Sequence, residues 1–526
     1  VALNPPTKSV RATRWMVASA DQLATQAGLA VLAQGGNAVD AAIATNAAIA
    51  VTGPHMCGLG GDLFAIVHDG ADVHVLDASG FAPAAADAAQ LRADGHREMP
   101  FRHDIRTVTV PGCIDGWCAL HARFGRLPLH QVLAPAIALA EHGFPASPLL
   151  VGALAQVDHA GREELAELAR QARRPGTRVR RPGAARVLSA VGADGRAGAY
   201  QGEFGRGLTA RWPHWFTPDD LAAPIARWVQ ALTVDAWGVR LHTVPPSSQG
   251  YLTLGSAALA DAAGLPGDPG NAQWAHLLVE AATAAAFDRP EVLYDGADGA
   301  ALVAAAAGRA SMIDHERASL RPGWGRDGDT TYLCTADDDG MAVSLIQSNA
   351  SGFGSWLVEP STGINLHNRG LGFSVDDGHP AELRPGHRPP HTLAPLMVTR
   401  TDGTLVGPLG TMGGDAQPQI LLQLAARLFH HGQTPAEAIH APRWAMRGPR
   451  TGFDTWTVGD VPFVQVEEHG ADEWLDGLRQ RGHRAAVAPA FDASAFGHAH
   501  VIVRDPEGFW VGAADPRARV GSCAGL

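Results

Sequence analysis

The sequence predicts an α+β sandwich in which helices and antiparallel strands share one core. Three features carry that expectation. Residues 17–53 place apolar residues at helical spacing and break at Gly35-Gly36, which reads as two helices. From Thr330 the pattern becomes TTYLCTA, a DDDG turn and MAVSLIQS, which reads as a β-hairpin. The end of the chain, HAHVIVRD and FWVGAAD, reads as strands again. Helices and antiparallel strands mixed along one chain suit layers around a common core.

Each element follows in order. Ser19 is the expected N-cap of the first helix, and the alanine-rich faces of the pair allow close packing. The Gly-rich GPHMCGLGGD leads into a strand at about Leu63–Val67, a turn at Asp69-Gly70 and a second strand, ADVHVLDAS. VTVPGCIDGW gives a strand, a Pro-Gly break and a helix from about Asp115, with another helix ending near Gly143. Residues 160–225 read as peripheral helices and loops, and 271–289 as an amphipathic helix. Beyond the hairpin come short strands in APLMVTR and TLVGPLG, a helix from about Gln417 to Phe429, and another from Pro435 to Ile439. No repeat of roughly 20–50 residues is present.

Composition bounds the function. The 526 residues are 46% hydrophobic and 18% charged, as expected for a globular chain with a large core. With 41 Lys and Arg against 53 Asp and Glu, the net charge is −12, which gives no general reason to bind nucleic acid. The Arg-rich stretch from Arg170 to Gly183 reads as a solvated loop. Five cysteines, odd in number and without a CxxC spacing, point to reduced thiols rather than disulfides or zinc. No signal peptide and no membrane-length apolar run is evident, so a cytoplasmic protein is expected. The 24 histidines are scattered; His498 and His500 read as a surface pair on one strand face. No metal or cofactor is expected.

Three places carry candidate chemistry. A Thr-Thr pair, Thr330-Thr331, suits the start of a strand. If the Asp329–Thr330 bond were cut, however, Thr330 would hold a hydroxyl nucleophile and an α-amine base of pKa about 8 within one residue. Gly413-Gly414 lies between a strand and a helix. It is either an ordinary turn or a pair of backbone N–H donors for an oxyanion. HRPPHTLAP is a stiff loop ending at His391-Thr392, which lines a pocket or is structural. GLGGD lacks the Lys-Ser/Thr ending of a phosphate loop and precedes a strand.

The chain resembles the γ-glutamyltranspeptidase family of N-terminal-nucleophile hydrolases. The resemblance is carried in order by AVLAQGGNAVDAAIATNAAIAVT, GLGGD, VTVPGCIDGW, PPSSQG, EAATAAAFDR, TTYLCTADDDGMAVSL, GTMGGD, AEAIHAPR and ADPR, spread over nearly the whole length. It implies a four-layer αββα sandwich and a self-cleaving precursor. Residues 1–329 would form the large subunit and 330–526 the small one, both within one core. It places the nucleophile on Thr330, a hydroxyl that hydrogen-bonds it on Ser348, and the oxyanion donors on Gly413 and Gly414. Asn349, Arg369, His391 and Thr392 fall on substrate-binding positions.

The chain departs from the family where substrate glutamate is gripped. Ser79 stands at about the position of the Arg that holds the α-carboxylate, and Arg97 follows an insertion and is not equivalent. Arg369 and Gly372 replace the Gln and the Asp, the latter binding the α-ammonium; His391-Thr392 replaces a Ser-Ser pair. The expected function is amide hydrolysis or acyl transfer on a small molecule that is not γ-glutamyl, without nucleic acid or membrane partners; a homo-oligomer is left open. The alternatives are C–C bond hydrolysis in an antibiotic pathway by the same Thr, and a binding protein that kept the fold and lost turnover.

Overall fold

The computed structural model describes residues 8–319, 329–447, 463–492 and 495–526. Two seven-stranded antiparallel sheets form its centre. The first runs Ser522–Gly525, Met16–Ser19, Asp329–Ala336, Ala342–Ala350, Asp62–His68, Val73–Ala78, Arg227–Val229. The second runs Val10–Ala12, Trp510–Ala514, Ala499–Arg504, Leu405–Thr411, Leu396–Thr399, Val239–Thr243, Leu232–Ala236. Segments before and after Thr330 contribute strands to both.

Side-chain alternation explains the layering. Along Asp62–His68, Phe64 and Ile66 join Tyr332, Cys334, Ile346, Met397 and Ile502 in an apolar cluster between the sheets. Their neighbours Leu63, Ala65 and Val67 face the other way, into a cluster with helices Gln22–Ala33, Ala38–Thr52, Cys113–Phe124 and Leu129–His142. The second sheet likewise turns Leu396, Val398 and Leu409 outward onto helices Gly250–Ala263, Ala272–Ala286 and Gln417–Ala425. The order is helix, sheet, sheet, helix, the expected four-layer αββα sandwich.

Three local expectations are corrected. Ser19 ends a strand; the first helix is capped by Asp21, whose carboxylate accepts Leu23 N–H, while the Ser19 hydroxyl bonds Thr25 Oγ1. Arg181 is no solvated residue: its guanidinium is buried and donates to the Ala50 and Gly363 carbonyls. His500, on strand Ala499–Arg504 inside the second sheet, and His498, just ahead of that strand, are buried too.

Candidate active site

The site lies at one end of the space between the sheets. Thr330 pairs with Ser348 across the hairpin, and Ser348 pairs with Asp62 on the next strand. Cross-strand partners share a face, and this face carries Tyr332, Ile346 and Phe64 between the sheets. A row of three polar side chains therefore closes an otherwise apolar interior, and all three are buried.

Thr330 Oγ1 and Ser348 Oγ are 3.0 Å apart. Ser348 Oγ also accepts Ala350 N–H at 2.8 Å, an arrangement in which Ser348 can donate its own hydrogen to Thr330. The hairpin is irregular at this point. Asp329 pairs with Ala350 while Thr330 pairs with Ser348, so Asn349 is an extra residue in its strand and Ala350 takes φ 75°. The bulge commits Asn349 elsewhere: its Nδ2 donates to the Pro54 carbonyl at 2.9 Å. Asn349, expected to contact substrate, braces the turn ahead of GLGGD through this amide. The Asp329 backbone pairs in the hairpin; Gly328, taken with it as the entry turn, lies outside the described residues.

Asp62, which had no role in the sequence reading, organises the rest of the site. Its Oδ2 accepts Arg369 Nε–H at 2.8 Å and His391 Nε2–H at 3.0 Å. Burial alone would raise this carboxyl, but Arg369 and His391 outweigh it and hold it well below the usual carboxylate range. Burial, reinforced by Arg369, pushes the His391 imidazole down to about 4, so it is neutral at neutral pH. Its ring stands edge-on to Phe64 at 4.8 Å. Arg369 also donates through Nη1 to Thr392 Oγ1 at 3.0 Å. Three predicted residues, Arg369, His391 and Thr392, are thus joined to the row that holds Thr330. The strand bearing Asp62 needs its glycine: a Cβ at Gly61 would stand 2.5 Å from the Ser348 carbonyl oxygen.

Gly413 and Gly414 follow strand Leu405–Thr411 and precede helix Gln417–Ala425. Their φ values of 134° and 55° belong to glycine's range. Two contacts tie this turn to the rest of the site. A Cβ at Gly410 would collide with the Tyr332 ring, so the strand leading to the glycines lies against the Thr330 strand. Gln249 Nε2 donates to both the Thr392 carbonyl (2.9 Å) and the Gly414 carbonyl (3.1 Å). Gln249 and Asp62 are the residues sequence reasoning missed. Both sat inside quoted motifs, PPSSQG and GLGGD, where an amide and a carboxylate among small residues were the available signal.

The sequence matches the Gamma-glutamyltranspeptidase family over residues 24–525. The chain belongs to the γ-glutamyltranspeptidase family. Its relatives include the oxamate amidohydrolase proenzyme of Klebsiella pneumoniae, 36% identical over 98% of each chain. They also include the glutathione hydrolase-like YwrD proenzyme of Bacillus subtilis, 33% identical over 97% of this chain and 98% of the relative. Among solved structures, the cephalosporin acylase of Bacillus halodurans matches with a TM-score of 0.90 and 33% identity, covering 100% of this chain and 98% of that one. This γ-glutamyltranspeptidase-type chain is a self-processing hydrolase with an N-terminal nucleophile, acting on amide bonds.

Three of the positions that the sequence set against the family's glutamate clamp, Ser79, Arg97 and Gly372, can be placed. At Gly372 a Cβ would stand 2.1 Å from the Pro390 carbonyl oxygen, so no acid fits there as the backbone stands. Beside Ser79 stands Arg388, which donates to Ser79 Oγ and Asp77 Oδ1, both at 3.2 Å. Arg388 is thereby held by Asp77, which Arg227 also contacts at 2.8 Å. Arg97 is exposed and outside the site. Among the described residues, no helix is long and apolar enough to cross a membrane.

Proposed function

We propose that Thr330 is both the agent of self-cleavage and the catalytic nucleophile, and that the substrate is an amide whose acyl group lacks the α-ammonium of glutamate. The hydroxyl pair Thr330–Ser348, 3.0 Å apart on the interior face, is the observation that carries this reading. In processing, Thr330 Oγ attacks the Asp329 carbonyl carbon. The peptide C–N bond breaks to leave an ester on Oγ and a free α-amine, and water hydrolyses the ester to an Asp329 carboxylate. Residues 1–329 and 330–526 become the two subunits.

In turnover the α-amine takes the Oγ proton as Oγ attacks the substrate amide. The N–H groups of Gly413 and Gly414 receive the oxyanion, each such donor contributing about 3 kcal/mol. The ammonium returns the proton to the leaving amine, and water or an amine resolves the acyl-enzyme. Arg369, paired with Asp62 and Thr392, gives the acyl pocket a fixed cation, while Gly372 and Pro390 leave no place for an acid opposite an ammonium. Small anionic or neutral acyl groups are the class this supports, and the relative named for oxamate favours a carboxylate next to the amide.

The test is a panel of oxamate, glutaryl-p-nitroanilide and γ-glutamyl-p-nitroanilide, with intact-mass analysis of the wild type and Thr330→Ala. The expected result is a fragment beginning at Thr330, absent in the variant, and turnover of an ammonium-free acyl amide well above the γ-glutamyl one. Maturation of Thr330→Ala would remove Thr330 from the processing step, and preference for the γ-glutamyl anilide would overturn the substrate assignment.

A further inference from the structure

On the outer helical layer over the second sheet, three ligand-type side chains converge. Helix Ala272–Ala286 carries His276 and Glu280 one turn apart on one face. His483 follows Gly482 at the turn ahead of strand Arg484–Ala488. His276 Nδ1 and His483 Nε2 are 2.8 Å apart, and a carboxylate oxygen of Glu280 completes a set of three atoms within 4.8 Å of one another. All three side chains are buried.

We propose that His276, Glu280 and His483 form a site for a divalent transition metal, with Zn2+ the best match. Two imidazoles and one carboxylate suit Zn2+ and its neighbours rather than Ca2+ or Mg2+, which take oxygen ligands. The outer contacts are those of a built site. His276 Nε2–H donates to the Asp314 carbonyl at 2.7 Å, which leaves Nδ1 as the lone-pair nitrogen facing the cluster. The Glu280 carboxylate is oriented by Ser319 N–H at 3.1 and 3.2 Å. Two nitrogens at about 2.0–2.1 Å from one tetrahedral Zn2+ stand roughly 3.3 Å apart, so the 2.8 Å pair needs only a small opening. The nearby cation is Arg481, whose Nη1 is engaged on the Gly477 carbonyl.

The placement gives the ion a structural role. His276 and Glu280 also anchor Asp314 and Ser319, on the stretch that leads toward Thr330. They precede Thr330 in the chain and His483 follows it. If processing occurs at Asp329–Thr330 as proposed above, the ion fastens one subunit to the other. Binding itself does not depend on that cut.

The experiment uses full-length protein, stripped with EDTA and titrated with Zn2+ against a chromophoric chelator, with Co2+ as a spectroscopic substitute. Wild type and uncut Thr330→Ala should each take up one ion per chain and give the visible bands of a four-coordinate Co2+ complex. His483→Gln keeps a hydrogen bond to His276 but lacks the imidazole. It and Glu280→Gln should each weaken binding by more than the roughly 10- to 100-fold that loss of an outer partner costs. Absence of uptake by the wild type, or uptake unchanged in both ligand variants, would overturn the site and leave a plain imidazole–imidazole hydrogen bond. Uptake by the uncut chain but no metal-dependent retention of the two fragments in mild denaturant would overturn the fastening role alone.

Discussion

Replacing Asp62 by Asn tests whether the buried charge pair behind Thr330 and Ser348 carries real stability. Asp62 and Arg369 are 0% and 1% exposed, and their 2.8 Å contact is the core of the cluster. Asp62→Asn keeps shape and one acceptor but strands the guanidinium. Removing one partner of a buried pair costs about 3–5 kcal/mol, because the other charge is left uncompensated. A chain of 526 residues unfolds with an entropy of about 1.1 kcal/mol per kelvin, from about 2.1 cal/mol/K per residue. The expected fall in Tm is therefore about 3–5 °C. Calorimetry should compare wild type, Asp62→Asn, Arg369→Gln and the double variant at pH 7. The double variant, with no stranded charge, should recover much of the loss. A folded-state carboxyl held below its unfolded value stabilises above about pH 3.9 and loses that contribution as pH falls through the folded value. Wild type and Asp62→Asn should thus converge only in strong acid. A single variant within about 1 °C of wild type, or strictly additive losses in the double variant, would refute the coupling.

Three other outcomes follow from the same geometry. Ser348→Ala removes the hydroxyl 3.0 Å from Thr330 Oγ1 and should slow appearance of the Thr330 fragment by roughly 5- to 150-fold, the equivalent of about 1–3 kcal/mol; equal time courses on denaturing gels would exclude this role. Gly61→Ala puts a Cβ 2.5 Å from the Ser348 carbonyl oxygen and should impair maturation more than Gly152→Ala, where nothing lies within 4 Å; indistinguishable processing would contradict the packing argument. Burial pushes His367 and His391 down to about 4, and His55 and His500 to about 3. With folded values below the unfolded value of about 6.5, the unfolded chain binds more protons, so each withdraws up to about 2 kcal/mol of stability by pH 5. Tm should fall steadily from pH 7 to pH 5, and a flat profile would show that these rings gain partners on protonation.

The fold was legible because its signals are local. Residues 330–350 announce a hairpin by alternation and a DDDG turn, and Asn271 with the apolar stripe behind it announces the helix Ala272–Ala286. Thr330, Ser348 and the glycine pair could be placed because they sit in contiguous motifs. What stayed hidden is what the topology assembles from afar. Asp62 meets Arg369 and His391 across more than three hundred residues, and nothing in GLGGD says which face of the sheet its acid takes. The bulge at Asn349 was hidden as well, since the register shift exists only once the hairpin is paired. His276 and His483 are 207 residues apart, with no ligand spacing to read.

The charge arrangement behind Thr330 is the physical basis of the proposed preference for acyl groups other than γ-glutamyl. A γ-glutamyl donor presents a carboxylate and an ammonium at one carbon, and a pocket that desolvates both must answer both. Here each cation near the site is already answered from within: Arg369 by Asp62, Arg388 by Asp77. The single acid of the row, Asp62, is spent on Arg369 and His391, and the backbone at Pro390 closes the place where another could stand. An ammonium entering this pocket would shed water without gaining a counter-charge. An acyl group with one carboxylate can instead share Arg369 with Asp62, and a neutral one disturbs nothing. In the proposed mechanism Thr330 and Ser348 are indifferent to this choice, since they would act on the amide carbonyl common to all these substrates. On the proposed function, selectivity and reactivity would then rest on separable parts of the row: Thr330 and Ser348 on the hairpin, and Asp62 with its two partners beside it.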